Sequence, residues 1–211
     1  MTFSTGASHK LLYFLRNCAT LLSMENEYEK LVIISSPSGG GKGTLIKKLL
    51  DDVDGVWLSV SATSRQPREG ETNGKSYYFM SRDEFKESIE QNGFLEWAEY
   101  SGNLYGTPRK YIHDHLDNGD VVLLEIEVQG ASDVMKRCPG CHSVFIMPPS
   151  LEILESRLRG RNTDSEESIR KRMQAAEFEL ECAEQYEKII VNDDLDVAFK
   201  ELKEYINRVA D

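Results

Sequence analysis

The apolar positions of the chain fall into short unbroken runs that alternate with helical stripes, and this rhythm predicts the architecture. Leu31–Ser35 is a β-branched run that reads as a buried strand, followed by a glycine-rich turn and a helical segment over residues 44–50. Strand-like runs recur at residues 56–60, 121–126 and 143–147 and at Lys188–Val191, mostly separated by helical patterns. Strands that are apolar on both faces and joined by helices predict a parallel sheet covered on both sides. Two helices are well marked. Ile169, Met173, Ala176, Leu180 and Ala183 form one stripe behind the N-cap candidate Ser165, and Leu195, Phe199, Leu202, Ile206 and Val209 form another.

Between Ser61 and Pro108 the rhythm changes to short polar and aromatic strands around one helix, which opens with the capping box Ser81 to Glu84. Residues 61–108 therefore read as an inserted subdomain within a single domain spanning residues 31–211, with residues 1–30 as an N-terminal extension. Lys10 and Arg16 are the only charges in the first 23 residues, whose apolar positions recur at helical spacing. Such an acid-free amphipathic leader is open to four readings: a transit-like segment, a partner helix, sequence upstream of a start at Met24, or a dispensable extension. No stretch approaches the roughly eighteen uncharged apolar residues of a transmembrane helix, so none is expected.

Composition changes this picture in one respect. Against 25 basic residues stand 36 acidic ones, a formal net charge of -11 over 211 residues, which argues against nucleic acid polymers and anionic membranes as partners. The charge is uneven. Residues 173–211 carry four basic and eleven acidic groups, whereas residues 157–172 carry six basic and three acidic. The acidic stretch reads as the solvated faces of two helices, and the basic one calls for a local anion. Four cysteines, Cys18, Cys138, Cys141 and Cys182, are too few for a disulfide scaffold and suit a reducing cytoplasm.

The candidate chemistry begins after the first strand. Ser36-Pro37-Ser38-Gly39-Gly40-Gly41-Lys42-Gly43-Thr44 lies between a strand and a helix, the context of a phosphate-binding P-loop. Glycines let backbone N–H groups close around phosphate oxygens, the helix N-terminus adds partial positive charge, and Lys42 reaches the β and γ phosphates. Two positions depart from the usual pattern: Ser36 replaces the first glycine, and Gly43 stands where a metal-binding hydroxyl is expected, leaving Thr44 to supply it one residue later. Downstream, Arg65 and Arg68 flank Pro67 close to Tyr77, offering bidentate donors for a second phosphate group.

From about Leu31 to the C-terminus the sequence resembles guanylate kinase. The resemblance includes the segments Phe94-Leu95-Glu96-Trp97-Ala98, Gly102-Asn103-Leu104-Tyr105-Gly106-Thr107, Glu125-Ile126-Glu127-Val128-Gln129-Gly130, Arg157-Leu158-Arg159-Gly160-Arg161 and Val191-Asn192-Asp193-Asp194. It implies an α/β fold: a P-loop parallel sheet flanked by helices, with a small α+β GMP-binding insert and a helical arginine lid over residues 157–172. It also implies transfer of the γ-phosphoryl group of ATP to GMP and dGMP, with Mg²⁺, in purine nucleotide metabolism. Ser36 to Thr44 and Asn192 would then bind ATP. Arg65, Arg68, Tyr77 and Tyr105 would hold the GMP phosphate, and Ser61, Glu96 and Thr107 would read guanine. Glu125 and Glu127 would lie near the ribose and the metal, with Thr44 and Glu125 as metal ligands acting partly through water. Lys42, Arg65, Arg157, Arg161 and Arg172 would stabilise charge during transfer. Asn162 stands where the family has a lid glycine. The protein would be a monomer or homodimer in the cytoplasm.

The base assignment has a chemical reason independent of the resemblance. Guanine presents N1–H and its amino group as adjacent donors, which one ionised carboxylate accepts together, whereas adenine offers an unprotonated N1 there. On strand alternation, Glu125 and Glu127 would share one face at the carboxyl end of a strand. Cys138-Pro139-Gly140-Cys141-His142 fits redox, zinc and haem patterns formally, yet reads as an ordinary turn. His113 and His115 would point to different sides of a helix as solvated residues. The rival readings are a non-catalytic guanylate-kinase-like module that binds phosphorylated partners, and a nucleoside monophosphate kinase of another base preference.

Overall fold

A computed structural model describes residues 27–100, 102–160 and 165–211. The expectations for residues 1–26, Arg161 and Asn162 lie outside these. Nine strands and seven α-helices are described. The main sheet consists of β1 (Leu31–Ser35), β2 (Val56–Leu58), β7 (Val121–Glu125), β8 (His142–Met147) and β9 (Lys188–Val191), in the order β2-β7-β1-β8-β9 with every pairing parallel. Its residues alternate between two cores. Leu31, Ile33, Val122, Leu124 and Phe145 face one core, while Val32, Ile34, Val121, Leu123, Val144 and Ile146 face the other. That is why these strands read as continuous apolar runs.

Helices α1 (Lys42–Asp52) and α7 (Leu195–Ala210) cover the second face, through Leu45, Ile46 and Leu49 and through Ala198, Leu202 and Ile206. The first face is covered by α3 (Arg109–Asp117) and α4 (Val128–Arg137), with Ile112, Val128, Ala131 and Val134 buried. Helices α5 (Leu151–Arg159) and α6 (Glu166–Glu181) pack on one another around Leu154, Leu158 and Ala176. Ser165 caps α6 by accepting the Ser168 N–H, and Ala183 falls in the 3₁₀ turn Cys182–Gln185 that follows.

The insert folds around its own small core. A four-stranded sheet, in the order β4 (Tyr78–Phe79), β3 (Ala62–Thr63), β6 (Asn103–Pro108) and β5 (Phe94–Tyr100), packs against α2 (Arg82–Glu90). Phe85 stacks on Phe94 at 4.3 Å between ring centroids, with Ala62 and Leu104 completing the cluster. Ser81 and Glu84 form the expected capping box.

Several expectations need correction. The strand expected over residues 56–60 stops at Leu58, and the helix expected over 44–50 runs from Lys42 to Asp52. The strand at 121–126 ends at Glu125, so Glu127 is the N-cap residue of α4 and strand alternation does not relate the two carboxylates. Among the described residues Tyr28 already packs into the domain, ahead of the expected boundary at residue 31: its ring is buried in the first core and its hydroxyl meets Arg109 at 3.4 Å. The histidines are engaged, not solvated. His113 lies 3.3 Å from Glu27, while His115 stacks on Trp57 at 3.9 Å and meets Asp120 at 2.6 Å. Cys138 and Cys141 are free thiols bracketing the turn from α4 into β8, pushed up to about 12 and about 11 by burial, which makes them poor nucleophiles. Among the described residues, no helix is long and apolar enough to cross a membrane.

Candidate active site

The glycine-rich turn leaves the end of β1 and enters α1, with no acidic residue in the first helical turn to offset the positive end of the helix dipole. Gly41 occupies the N-cap position with φ 94°, a left-handed conformation that side chains disfavour. A Cβ added to Gly41 would lie 2.2 Å from the Asn192 amide nitrogen, and one on Gly40 would lie 2.0 Å from the Ser36 hydroxyl. The loop is therefore shaped by contacts as well as by torsions. Asn192 is buried and donates from its side chain to the Gly40 carbonyl at 2.8 Å, bracing the loop from the end of β9. Pro37 is buried, Ser38 and Thr44 are exposed, and Gly43 has open space where a side chain would project.

Cations converge on this loop from two further directions. Arg157 of α5 donates from Nη2 to the Asn192 carbonyl at 2.9 Å, while its Nη1 is buried with no hydrogen-bond partner. Arg172 of α6 donates to the Ser38 hydroxyl at 3.1 Å. Lys42 approaches Glu125 at 3.5 Å, at the carboxyl end of β7. Parallel sheets bind ligands at such ends, because helix N-termini and loops open there.

A cavity of about 500 Å³ is lined from both the insert and the main domain, by Ser61, Tyr77, Glu96 and Tyr105 on one side and on the other by Glu125, which Lys42 approaches, and by Asp133 of α4 and its N-cap residue Glu127. Glu96 is mostly buried on β5, and the Thr107 hydroxyl of β6 donates to its Oε1 at 2.6 Å. Burial raises the Glu96 pKa, while the Thr107 hydrogen bond and the charge of Arg137 oppose the rise. The strand pair can bring these groups together because Gly106 carries no Cβ, which would lie 2.9 Å from the Glu96 carbonyl. Arg65 sits over the Tyr77 and Phe79 rings, at 5.5 and 5.9 Å from their centroids, and is paired with Glu71. Arg68 is exposed on the same loop.

Three acidic residues near these groups escaped the sequence reading. Glu71 pairs with Arg65, and Asp133 faces the cavity from α4 close enough to raise the Glu96 pKa further. Glu179 of α6 is held above the usual carboxylate range by burial and by the charge of Glu127, against the pull of Lys42. Each acts across the fold or a loop, at a spacing with no motif of its own. Of the residues expected to act together, Lys42, Ser38, Arg157, Arg172 and Asn192 gather at the loop. Ser61, Tyr77, Glu96, Tyr105, Glu125 and Glu127 line one cavity, with Thr107 reaching it through Glu96.

A parallel sheet with this loop between its first strand and helix, and a cavity lined by carboxylates and tyrosines that shares Glu125 with the loop lysine, defines a P-loop kinase fold. A family model for guanylate kinase matches residues 28–209. The guanylate kinase of Prochlorococcus marinus is 50% identical over 179 residues, covering 85% of this chain and 97% of its own length. That of Nostoc is 48% identical over 190 residues, covering 90% and 94%. The crystal structure of guanylate kinase from Anaplasma phagocytophilum superposes with a TM-score of 0.65 at 35% identity, over 84% of each chain. The chain belongs to the guanylate kinase family.

Proposed function

We propose that the chain transfers the γ-phosphoryl group of ATP to GMP, and to dGMP, as a cytoplasmic enzyme of purine nucleotide metabolism. The observation that carries this reading is the sharing of Glu125 between two sites: it lines the acceptor cavity and lies 3.5 Å from the P-loop lysine. Donor and acceptor phosphates held on either side of it would be neighbours.

Ser36 to Thr44 wrap the ATP phosphates, with Lys42 on the β and γ groups and Asn192 holding the loop in shape. Arg157, with an unsatisfied buried N–H, and Arg172 supply positive charge to the equatorial oxygens of the group in transit, and Arg161 is assigned the same role. Phosphoryl transfer proceeds by positioning and charge stabilisation and needs no covalent intermediate. On the acceptor side Arg65, Arg68, Tyr77 and Tyr105 take the GMP phosphate. Glu96 accepts from guanine N1–H and its amino group, while Thr107 and Ser61 hydroxyls serve the rest of the base edge.

The oxygen donors near Lys42 suit Mg²⁺, which takes one or two protein oxygens alongside nucleotide phosphates and keeps several waters. Thr44 and Glu125 would hold it, partly through water. Bound there, it would neutralise phosphate charge.

A coupled ADP-release assay with GMP, dGMP, AMP, CMP and UMP tests the proposal. Turnover with GMP and dGMP far above AMP is expected. Absence of turnover with every acceptor would favour a binding module, and faster turnover of AMP would overturn the base assignment.

A further inference from the structure

Arg65 is assigned to the acceptor phosphate, yet its closest charged partner is a carboxylate. Glu71 meets the guanidinium end-on, with Nη2 donating to Oε1 at 2.7 Å and Nη1 to Oε2 at 3.0 Å. The same Oε2 accepts the backbone N–H of Arg68 at 2.7 Å, and the Glu71 N–H donates to the Arg68 carbonyl at 3.1 Å. Arg65 Nη1 also donates to the Gln66 carbonyl at 2.8 Å. One carboxylate thus closes the turn that carries both arginines.

A guanidinium offers five N–H donors in a rigid plane. Glu71 and Gln66 engage both Nη1 hydrogens and one on Nη2. This leaves the edge formed by Nε and the outer Nη2 hydrogen for an incoming anion, with Tyr105 beside the guanidinium. The Tyr77 and Phe79 rings restrict the swing of the group. The Arg65 and Glu71 side chains are only 14% and 21% exposed, which together with the bidentate geometry sets the pair apart from an open surface bridge.

We infer that Glu71 is a positioning residue, holding Arg65 end-on and the Arg68 backbone so that the Nε edge of Arg65 is presented to the acceptor phosphate. This rests on the acceptor site proposed above. The opposite arrangement, a carboxylate standing in the phosphate's own place, would require substrate to break the bond to the Arg68 backbone and open the turn as it binds.

Equilibrium binding of GMP and of guanosine, which carries the base without the phosphate, to the full chain separates the two, alongside KM for ATP. Glu71→Ala and the isosteric Glu71→Gln should each weaken GMP roughly ten- to hundredfold, the scale of a misplaced phosphate contact, and leave guanosine affinity and ATP KM unchanged. In an Arg65→Ala background the further effect of Glu71→Ala on GMP should shrink to what the Arg68 backbone contact contributes, well below its effect in the wild type. Unchanged or tighter GMP binding, an equal loss for guanosine, or a full additional loss in the Arg65→Ala background would each overturn the inference. Should Arg65→Ala itself leave GMP affinity unchanged, the acceptor-site reading fails and this inference with it. Loss with Arg65→Ala but not with Glu71→Ala sinks the positioning role alone.

Discussion

A carboxylate that is mostly buried and is proposed to carry a charge is under opposed demands, and Glu96 is in that position. Burial favours its protonated form, while the proposed pairing with two guanine donors requires the ionised one. Glu96→Gln keeps the shape and the acceptor for Thr107 but loses one of two accepting oxygens. Charged hydrogen bonds are worth about 1.5–3 kcal/mol, so GMP KM should rise roughly ten- to hundredfold with ATP KM unchanged. The pH dependence follows from the direction of the shift. GMP KM in the wild type should rise on acidification through the raised Glu96 pKa, and that limb should be absent in Glu96→Gln. The stability sign is opposite: a raised folded-state pKa means that the fold is favoured below the ordinary carboxylate pKa and loses that stability as pH climbs through the raised value. Glu96→Gln should therefore have a higher Tm than wild type at neutral pH, which a thermal melt checks. Glu96 could be singled out in the sequence through the resemblance, which places it where guanine chemistry calls for a carboxylate. Glu71, Asp133 and Glu179 were not, because what each does depends on partners brought close by folding.

At the scale of elements, periodicity carried most of the information: β1 and β9 have the bounds that their apolar runs predict, and Ser165 and Ser81 cap the helices that they precede. It failed at the ends, where tertiary contacts decide. The strand before Glu127 stops early because its next residues turn into α4, and the Ile126 carbonyl accepts the Ser35 hydroxyl at 2.8 Å in place of a ladder partner. The glycines of the phosphate loop look alike in sequence and differ in the structure. Gly41→Ala would force a side chain into a left-handed residue and against the Asn192 amide, displacing the brace that also receives Arg157. Gly43 has ordinary torsions and open space, in the first turn of α1. Gly41→Ala should raise ATP KM by an order of magnitude or more, at about 1–3 kcal/mol of backbone strain. Gly43→Ala should leave ATP KM unchanged and raise Tm slightly, since alanine exceeds glycine in helix propensity by up to about 1 kcal/mol. Parallel ATP titrations and melts of the two variants test the contrast, and equal losses would mean that loop sequence, not loop geometry, sets ATP affinity.

For the whole molecule, the formal charge of -11 describes the solvated faces, where α6 and α7 expose most of their carboxylates, while Lys42, Arg157 and Arg172 gather at one loop. Averages over a chain conceal such a separation; the local count over residues 157–172 did not. The domain boundary shows a related limit of the sequence. Nothing in the apolar pattern marks Tyr28 as core, because a single ring before a strand has no period, yet it is 5% exposed, packs with Cys138 and Leu31, and bonds to Arg109. A chain starting at Met24 retains Tyr28 and every residue the structure describes, so it should keep the Tm, kcat and both KM values of the full chain. Tyr28→Ala in the full chain should instead lower stability by about 3–5 kcal/mol, the usual range for removing a buried aromatic ring, with GMP and ATP KM little changed in the fraction that stays folded. Denaturant melts and steady-state kinetics of the pair locate the start of the functional domain. If deletion of residues 1–23 lowers stability as much as Tyr28→Ala does, the domain begins upstream of Tyr28 and the division drawn here is wrong.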